Sequence, residues 1–123
     1  VDISGFFLQK GERKGVGMIT IKDFMKCDII IAQIKEAQEH PDADKLYVLK
    51  VDTGTEERQL VAGIRAAYTK EELVGRQIAM VSNLEPAVIR GVESQGMLLA
   101  GSDANGIVLL SPEKPLALGS RVR

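Results

Sequence analysis

Thr69-Lys70-Glu71-Glu72-Leu73-Val74-Gly75 reads as a short helix set among strands, and its place in the strand order decides the architecture. Threonine followed three residues later by glutamate is a capping box. The Thr69 hydroxyl accepts from an otherwise unpaired first-turn amide, and the Glu72 carboxylate reaches back to the Thr69 amide. Tyr68 and Leu73 stand where an apolar staple forms, and Gly75 stands where a left-handed residue ends a helix. One or two turns are expected there.

Upstream, Ile29–Ala37 places Ile30, Ala32 and Ile34 on one face at period two, and Leu46–Val51 is rich in Val, Leu and Tyr. Asp52-Thr53-Gly54 turns the chain into a third strand over Gln59–Ile64. Downstream, Ile78–Ser82, Met97–Ala100 and Ile107–Leu110 are three further short strands, with Ser102-Asp103-Ala104-Asn105-Gly106 as a turn. Closely spaced strands interrupted by one central helix predict a mainly β fold. Five strands with a helix between the third and fourth is the plan of the OB-fold barrel. Near the start, Thr20 and Asp23 predict a second short helix over about Ile21–Lys26, with Ile19 and Phe24 as its staple.

The chain of 123 residues suits one domain. Residues 1–17 carry a Gly/Lys/Arg-rich run without periodicity and read as an extension or linker. Met18 fits a native start, and the segment fits equally a tether to a larger polypeptide or an expression artefact. Residues 18–123 form the domain. Its tail, Ser111–Arg123, holds two prolines with Leu116, Leu118 and Val122, enough apolar surface to pack on something.

Apolar residues make up 45% and charged residues 27%, and no apolar stretch approaches the roughly 18 residues a membrane helix needs. Cys27 is alone, so no internal disulfide forms, and Gly5-Phe6-Phe7-Leu8 is too short for the core of an export signal. A reducing cytoplasm is expected. The balance of 16 Lys+Arg against 17 Asp+Glu lacks the basic excess of a dedicated nucleic-acid binder. Counterion release depends only on the cations that touch phosphate, so a local stripe is enough for modest affinity.

Enzyme signatures are missing: no P-loop, GxSxG, HExxH or CxxC occurs, and His40 and Cys27 are the only residues of their types. Cys27, at the end of the first helix, is expected to be a packing residue. One His and one Cys are too few for an ordinary zinc site, and no cofactor is implied. In His40-Pro41-Asp42-Ala43-Asp44-Lys45 the two aspartates suit a turn, whereas His40 and Lys45 are placed to offer donors to a phosphate. From Ser82-Asn83 through Arg90 to Ser94-Gln95-Gly96-Met97, amides, hydroxyls and one guanidinium have the chemistry to read unpaired RNA. The same groups also suit the satisfaction of loop backbone.

Three blocks carry a family resemblance: His40-Pro41-Asp42-Ala43-Asp44-Lys45-Leu46-Tyr47-Val48-Leu49, then Ala62 to Gly75, then Asn83-Leu84 through Ser94-Gln95-Gly96-Met97-Leu98-Leu99-Ala100. With Ile21-Lys22-Asp23-Phe24 they resemble the OB-fold tRNA-binding domains found at the C-terminus of bacterial methionyl-tRNA synthetases, as free-standing homodimeric proteins and in cytokine-like synthetase cofactors. The resemblance covers about Ile19 to Arg123. It implies non-catalytic, shape-directed tRNA binding of low sequence specificity, by an appendage or subunit of methionyl-tRNA synthetase. Lys45, Asn83, Arg90, Ser94, Gln95 and Met97 are the implied RNA face. The implied partners are tRNA, a second copy paired through a C-terminal extension (about 104–123), and the synthetase catalytic chain, with no membrane.

Two departures weaken the charge of that face. The family often has Arg where Ile30 follows Asp28-Ile29, and two lysines where Asn83-Leu84-Glu85-Pro86-Ala87-Val88 has Glu85 and Val88. Binding is then weaker, or rebalanced onto Lys35, Lys50, Arg58 and Arg65. The alternative is a protein-docking module for a synthetase complex with weakened RNA binding. A chaperone built on the same barrel is a third reading.

Overall fold

The computed structural model describes residues 17–123, so the extension expected at 1–17 lies, Gly17 apart, outside the described residues. The elements in chain order are α1 (Ile21–Phe24), β1 (Ile29–Glu39), β2 (Tyr47–Asp52), β3 (Glu57–Ala62), α2 (Lys70–Leu73), β4 (Gln77–Val81), β5 (Ala87–Ile89), β6 (Val92–Ser94), β7 (Met97–Leu98), β8 (Ala100–Asp103) and β9 (Gly106–Leu109). Five strands form one antiparallel sheet in the order β3-β2-β1-β4-β7, with α2 between the third and fourth strands as the capping box predicts. Among the described residues no helix is long and apolar enough to cross a membrane.

β1 makes the curvature. Its first half pairs with β4, from Ile29 opposite Val81 to Gln33 opposite Gln77, and its second half pairs with β2, from Gln33 opposite Asp52 to Glu39 opposite Tyr47. Between Ile34 and Glu36 the register shifts, leaving Lys35 unpaired in a bulge that bends the strand and lets one element serve two neighbours. Alternation sorts the side chains. On β2, Tyr47, Leu49 and Val51 turn inward while Lys50 faces out. Ile34, Leu49, Leu60, Ile64, Ile78 and Met80 fill the interior, joined by Leu73 of α2, all fully buried and each contributing about 1.5–3 kcal/mol by area.

The barrel closes by side chains as well as backbone. Gln95 N donates to Gln59 O at 2.7 Å, and Gln59 N donates in return to the Gln95 side-chain oxygen at 2.9 Å. Two residues on along β3, Val61 N donates to Ser94 Oγ at 3.0 Å, and that hydroxyl donates to Gly96 O at 2.9 Å. Gly96 (φ +149°) makes the approach feasible, because a β-carbon there would lie 2.7 Å from Met80 Cε and 3.0 Å from Val81 O. The block Ser94-Gln95-Gly96 is thus the seam between β3 and the β6–β7 run.

Two smaller apolar clusters lie outside the main core. Ile29, Ile31, Ala79 and Val81 are covered by Phe24, Leu84, Met97 and Leu99, and Val61 packs on Ile89 of the β5–β6 hairpin. The tail returns to its own barrel. Ile31 N donates to Ser120 O, Gly119 N to Ile31 O and Val122 N to Ile29 O, so the tail runs along the β1 edge that β2 leaves open. The Gln77 amide clasps Leu116 by donating to its carbonyl at 2.7 Å and accepting from its N–H at 3.0 Å.

Two expectations need correction. α1 is a single turn ending at Phe24, so Cys27 lies in the following bend and is exposed instead of packed. Ile19 stays 64% exposed, and Phe24 packs against the outer β1–β4 cluster with no staple partner.

Candidate nucleic-acid interface

The segment from Ser82 to Met97 contains a hairpin. Ile89 stands opposite Val92, leaving Arg90 and Gly91 as a two-residue turn with φ of +53° and +87°. Positive φ at both central positions is the primed turn whose twist matches antiparallel strands, and Gly91 takes the second position without strain. Arg90 has no such freedom, so its conformation is held by its surroundings. Its Nη2 donates to Asp42 O at 3.0 Å, and the remaining donors of the guanidinium fork face solvent at an exposed residue.

At its other end the hairpin meets β3 along the seam. There two adjoining concavities, of about 420 and about 320 Å3, share Glu57, Arg58 and Gln95. Lys50, Gln59 and Glu93 complete the first, and Glu56, Ser82, Leu84 and Pro86 the second. Arg58 is locked between them: its Nε and Nη2 donate to the Glu56 carboxylate at 3.0 and 2.8 Å, and Nη1 donates to the Ser82 and Gln95 carbonyls. Part of its charge is thereby neutralised. Lys45, Lys50 and Arg90 form no ion pair among the described residues, although Lys50 shares its concavity with the Glu57 and Glu93 carboxylates.

The six residues singled out by resemblance fall into distinct roles. Arg90 and Lys45 are exposed at one end, on the hairpin tip and the adjoining β1–β2 loop. Gln95 is half-buried in the trough, with its amide nitrogen on the Glu93 carboxylate at 3.3 Å. Ser94 is fully buried inside the seam, and Met97 is half-buried where the two outer clusters meet. Asn83 clamps the segment between α1 and β1: its Oδ1 accepts from Asp28 N at 2.8 Å and its Nδ2 donates to Lys26 O at 2.7 Å. The adjacent Ser82 hydroxyl donates to Asp28 as well.

His40 does not project a donor outward. It is 3% exposed and engaged through both ring nitrogens, because the loop it begins folds back over it. Gln59 was missed, and its only signal is the outward phase of β3. Lys35 and Arg65, the other cations named for a rebalanced face, lie in the β1 bulge and 4.0 Å from Glu39, respectively. No group of three or more His, Cys, Asp or Glu among the described residues is placed to hold a metal ion.

A five-stranded barrel whose seam is lined by amides, cations and carboxylates defines a class, and residues 29–121 match the family model described as "Putative tRNA binding domain". The chain belongs to that family. Among its relatives are the proteins named methionine–tRNA ligase of Thermococcus onnurineus, 49% identical over 115 residues, and of Pyrococcus furiosus, 51% identical over 117 residues. These alignments cover 94% and 93% of this chain but only 16% of each relative's length. Among solved structures, a MetRS-related protein from Pyrococcus horikoshii superposes with a TM-score of 0.82 at 34% identity, over 88% of this chain and 100% of that one. The chaperone CsaA from Bacillus anthracis superposes at 0.81 with 31% identity, over 87% and 100%.

Proposed function

We propose that this chain binds tRNA without chemistry on it, as an appendage or partner of methionyl-tRNA synthetase in the cytoplasm. The observation that carries the reading is the polar face running from the Arg58–Gln95 trough along the β5–β6 hairpin to Arg90 and Lys45. Lys45, Arg90, Gln95 and Asn83 are its contact residues, while Ser94 and Met97 set the face from beneath. Recognition is directed by shape, with low sequence specificity. Among the described residues the rings that would stack on bases are withdrawn: Tyr47 is buried, Phe24 is half-covered, and Tyr68 lies half-buried under Arg76 at 5.3 Å. Without stacking platforms, contacts to phosphate and ribose dominate. We also propose that two copies pair through the C-terminal segment, about 104–123.

A salt-dependent titration with unfractionated tRNA tests the reading. Arg90→Ala should weaken different tRNAs about equally and reduce the slope of log affinity against log salt by about one unit, as one counterion fewer is released. Glu85→Lys should strengthen binding and steepen the slope. The docking alternative is favoured by Val88, 69% exposed on the outer strand of the hairpin. It moves ahead if both variants fold and leave tRNA affinity and slope unchanged.

A further inference from the structure

We propose that His40 is a positioning residue for tRNA binding, fixing the β5–β6 hairpin to the β1–β2 loop so that Arg90 is presented as a pre-set cation. The inference rests on the reading of Arg90 above. His40 is the only histidine in the chain and follows the last residue of β1. Asp42 N donates to its Nδ1 at 2.9 Å, which makes Nδ1 an acceptor and assigns the ring proton to Nε2. That N–H then faces Ile89 O at 3.0 Å, the carbonyl immediately before the turn.

These bonds close a clamp. Asp42 gives its N–H to His40 and its carbonyl to Arg90, while His40 grips the residue preceding Arg90. The clamp holds Arg90 at φ +53°, a conformation a residue with a β-carbon rarely adopts unless held. The far side of the loop is fixed as well: His40 N donates to Leu46 O, and Arg65 N donates to Lys45 O. Apolar packing accounts for the hairpin body, where Ile89 is buried against Val61, but not for the tip, where Arg90 and Gly91 are exposed. A long cationic side chain held before its ligand arrives loses less freedom on binding, so the clamp raises affinity through Arg90.

Two substitutions separate the two ring nitrogens. His40→Asn puts an amide oxygen near the Nδ1 position and falls short of Ile89, whereas His40→Gln carries an amide N–H toward the Nε2 position. In the full chain, His40→Asn should weaken tRNA binding severalfold, Arg90→Ala should then cost little more, and His40→Gln should recover most of the loss. If Arg90→Ala weakens binding as much in the His40→Asn background as alone, His40 is only structural and the proposal fails. If Arg90→Ala is silent in the otherwise unaltered chain, the reading of Arg90 as anchor fails first and takes this inference with it. The unaltered protein supplies a check that needs no variant: long-range nitrogen–proton NMR must find the imidazole proton on Nε2, and a proton on Nδ1 overturns the clamp.

Discussion

Asn83 shows how one amide can brace a candidate site. Its two polar atoms meet backbone groups 55 and 57 positions away, tying the loop after β4 to the segment that enters β1. Each such bond contributes about 1 kcal/mol net. Asn83→Ala should therefore lower stability by roughly 1–2 kcal/mol in a urea melt, and Asn83→Asp should do similar damage by turning the donor at Lys26 O into a repelled acceptor. If tRNA affinity drops while the melt is unmoved, Asn83 contacts RNA directly. At this scale the sequence was ambiguous for a physical reason. Asn83 and Ser94 have chemistry suited both to RNA and to backbone, and the groups that engage them lie far away in the chain, Asp28 for one and Val61 for the other. His40 misled more fully, because a loop that begins with Pro41 and Asp42 gives no sign that it folds over its own first residue.

Local elements were more legible. The Thr69–Glu72 capping box forms in both directions: Glu72 N donates to Thr69 Oγ1 at 3.2 Å and Thr69 N donates to the Glu72 carboxylate at 2.8 Å. Gly75 closes the segment at φ +91°. Thr69→Ala should cost about 1 kcal/mol and leave tRNA binding almost unchanged, because α2 lies away from the seam. The Thr69 amide and then its hydroxyl hold the Glu72 carboxyl below its ordinary value, against an opposing effect of burial, with a smaller lowering contribution from Arg76. A group whose folded pKa is depressed stabilises the fold above its unfolded pKa, and that contribution disappears as pH falls through the folded value. Glu72→Gln should therefore lower stability slightly near neutrality and change little once pH is below the folded pKa, which flattens the acid limb of a stability–pH profile; an unchanged acid limb would remove the assignment. The β5–β6 hairpin, by contrast, was hidden. Its turn is Arg90-Gly91 and not Asn-Gly or Asp-Gly, and left-handed arginine is too rare to be a useful signal.

Over the whole molecule, the first four barrel strands along the chain followed from periodicity and turns, whereas the closure did not, because the seam uses side chains of Ser94 and Gln95 where a ladder would use backbone. The tail's return to β1 was equally invisible, since it joins segments some 90 positions apart and each reads as ordinary apolar chain. That return sharpens the test of pairing between copies. Backbone bonds from Gly119, Ser120 and Val122 hold the tail to Ile29 and Ile31, while Leu110, Leu116 and Val122 remain 49%, 48% and 36% exposed. A two-fold interface repeats one patch on both subunits, so apolar side chains left on an anchored segment are covered most simply by their own copies. Deleting 119–123 would mix two effects, because it strips the edge of β1 as well as the patch. Leu116→Glu with Val122→Glu avoids this, since the anchoring bonds come from backbone. The unaltered chain should sediment as a dimer at micromolar concentration and the double variant as a folded monomer with the same circular dichroism. A wild-type monomer at that concentration would end the pairing proposal, and a dimer that survives both glutamates would move the contact away from the tail.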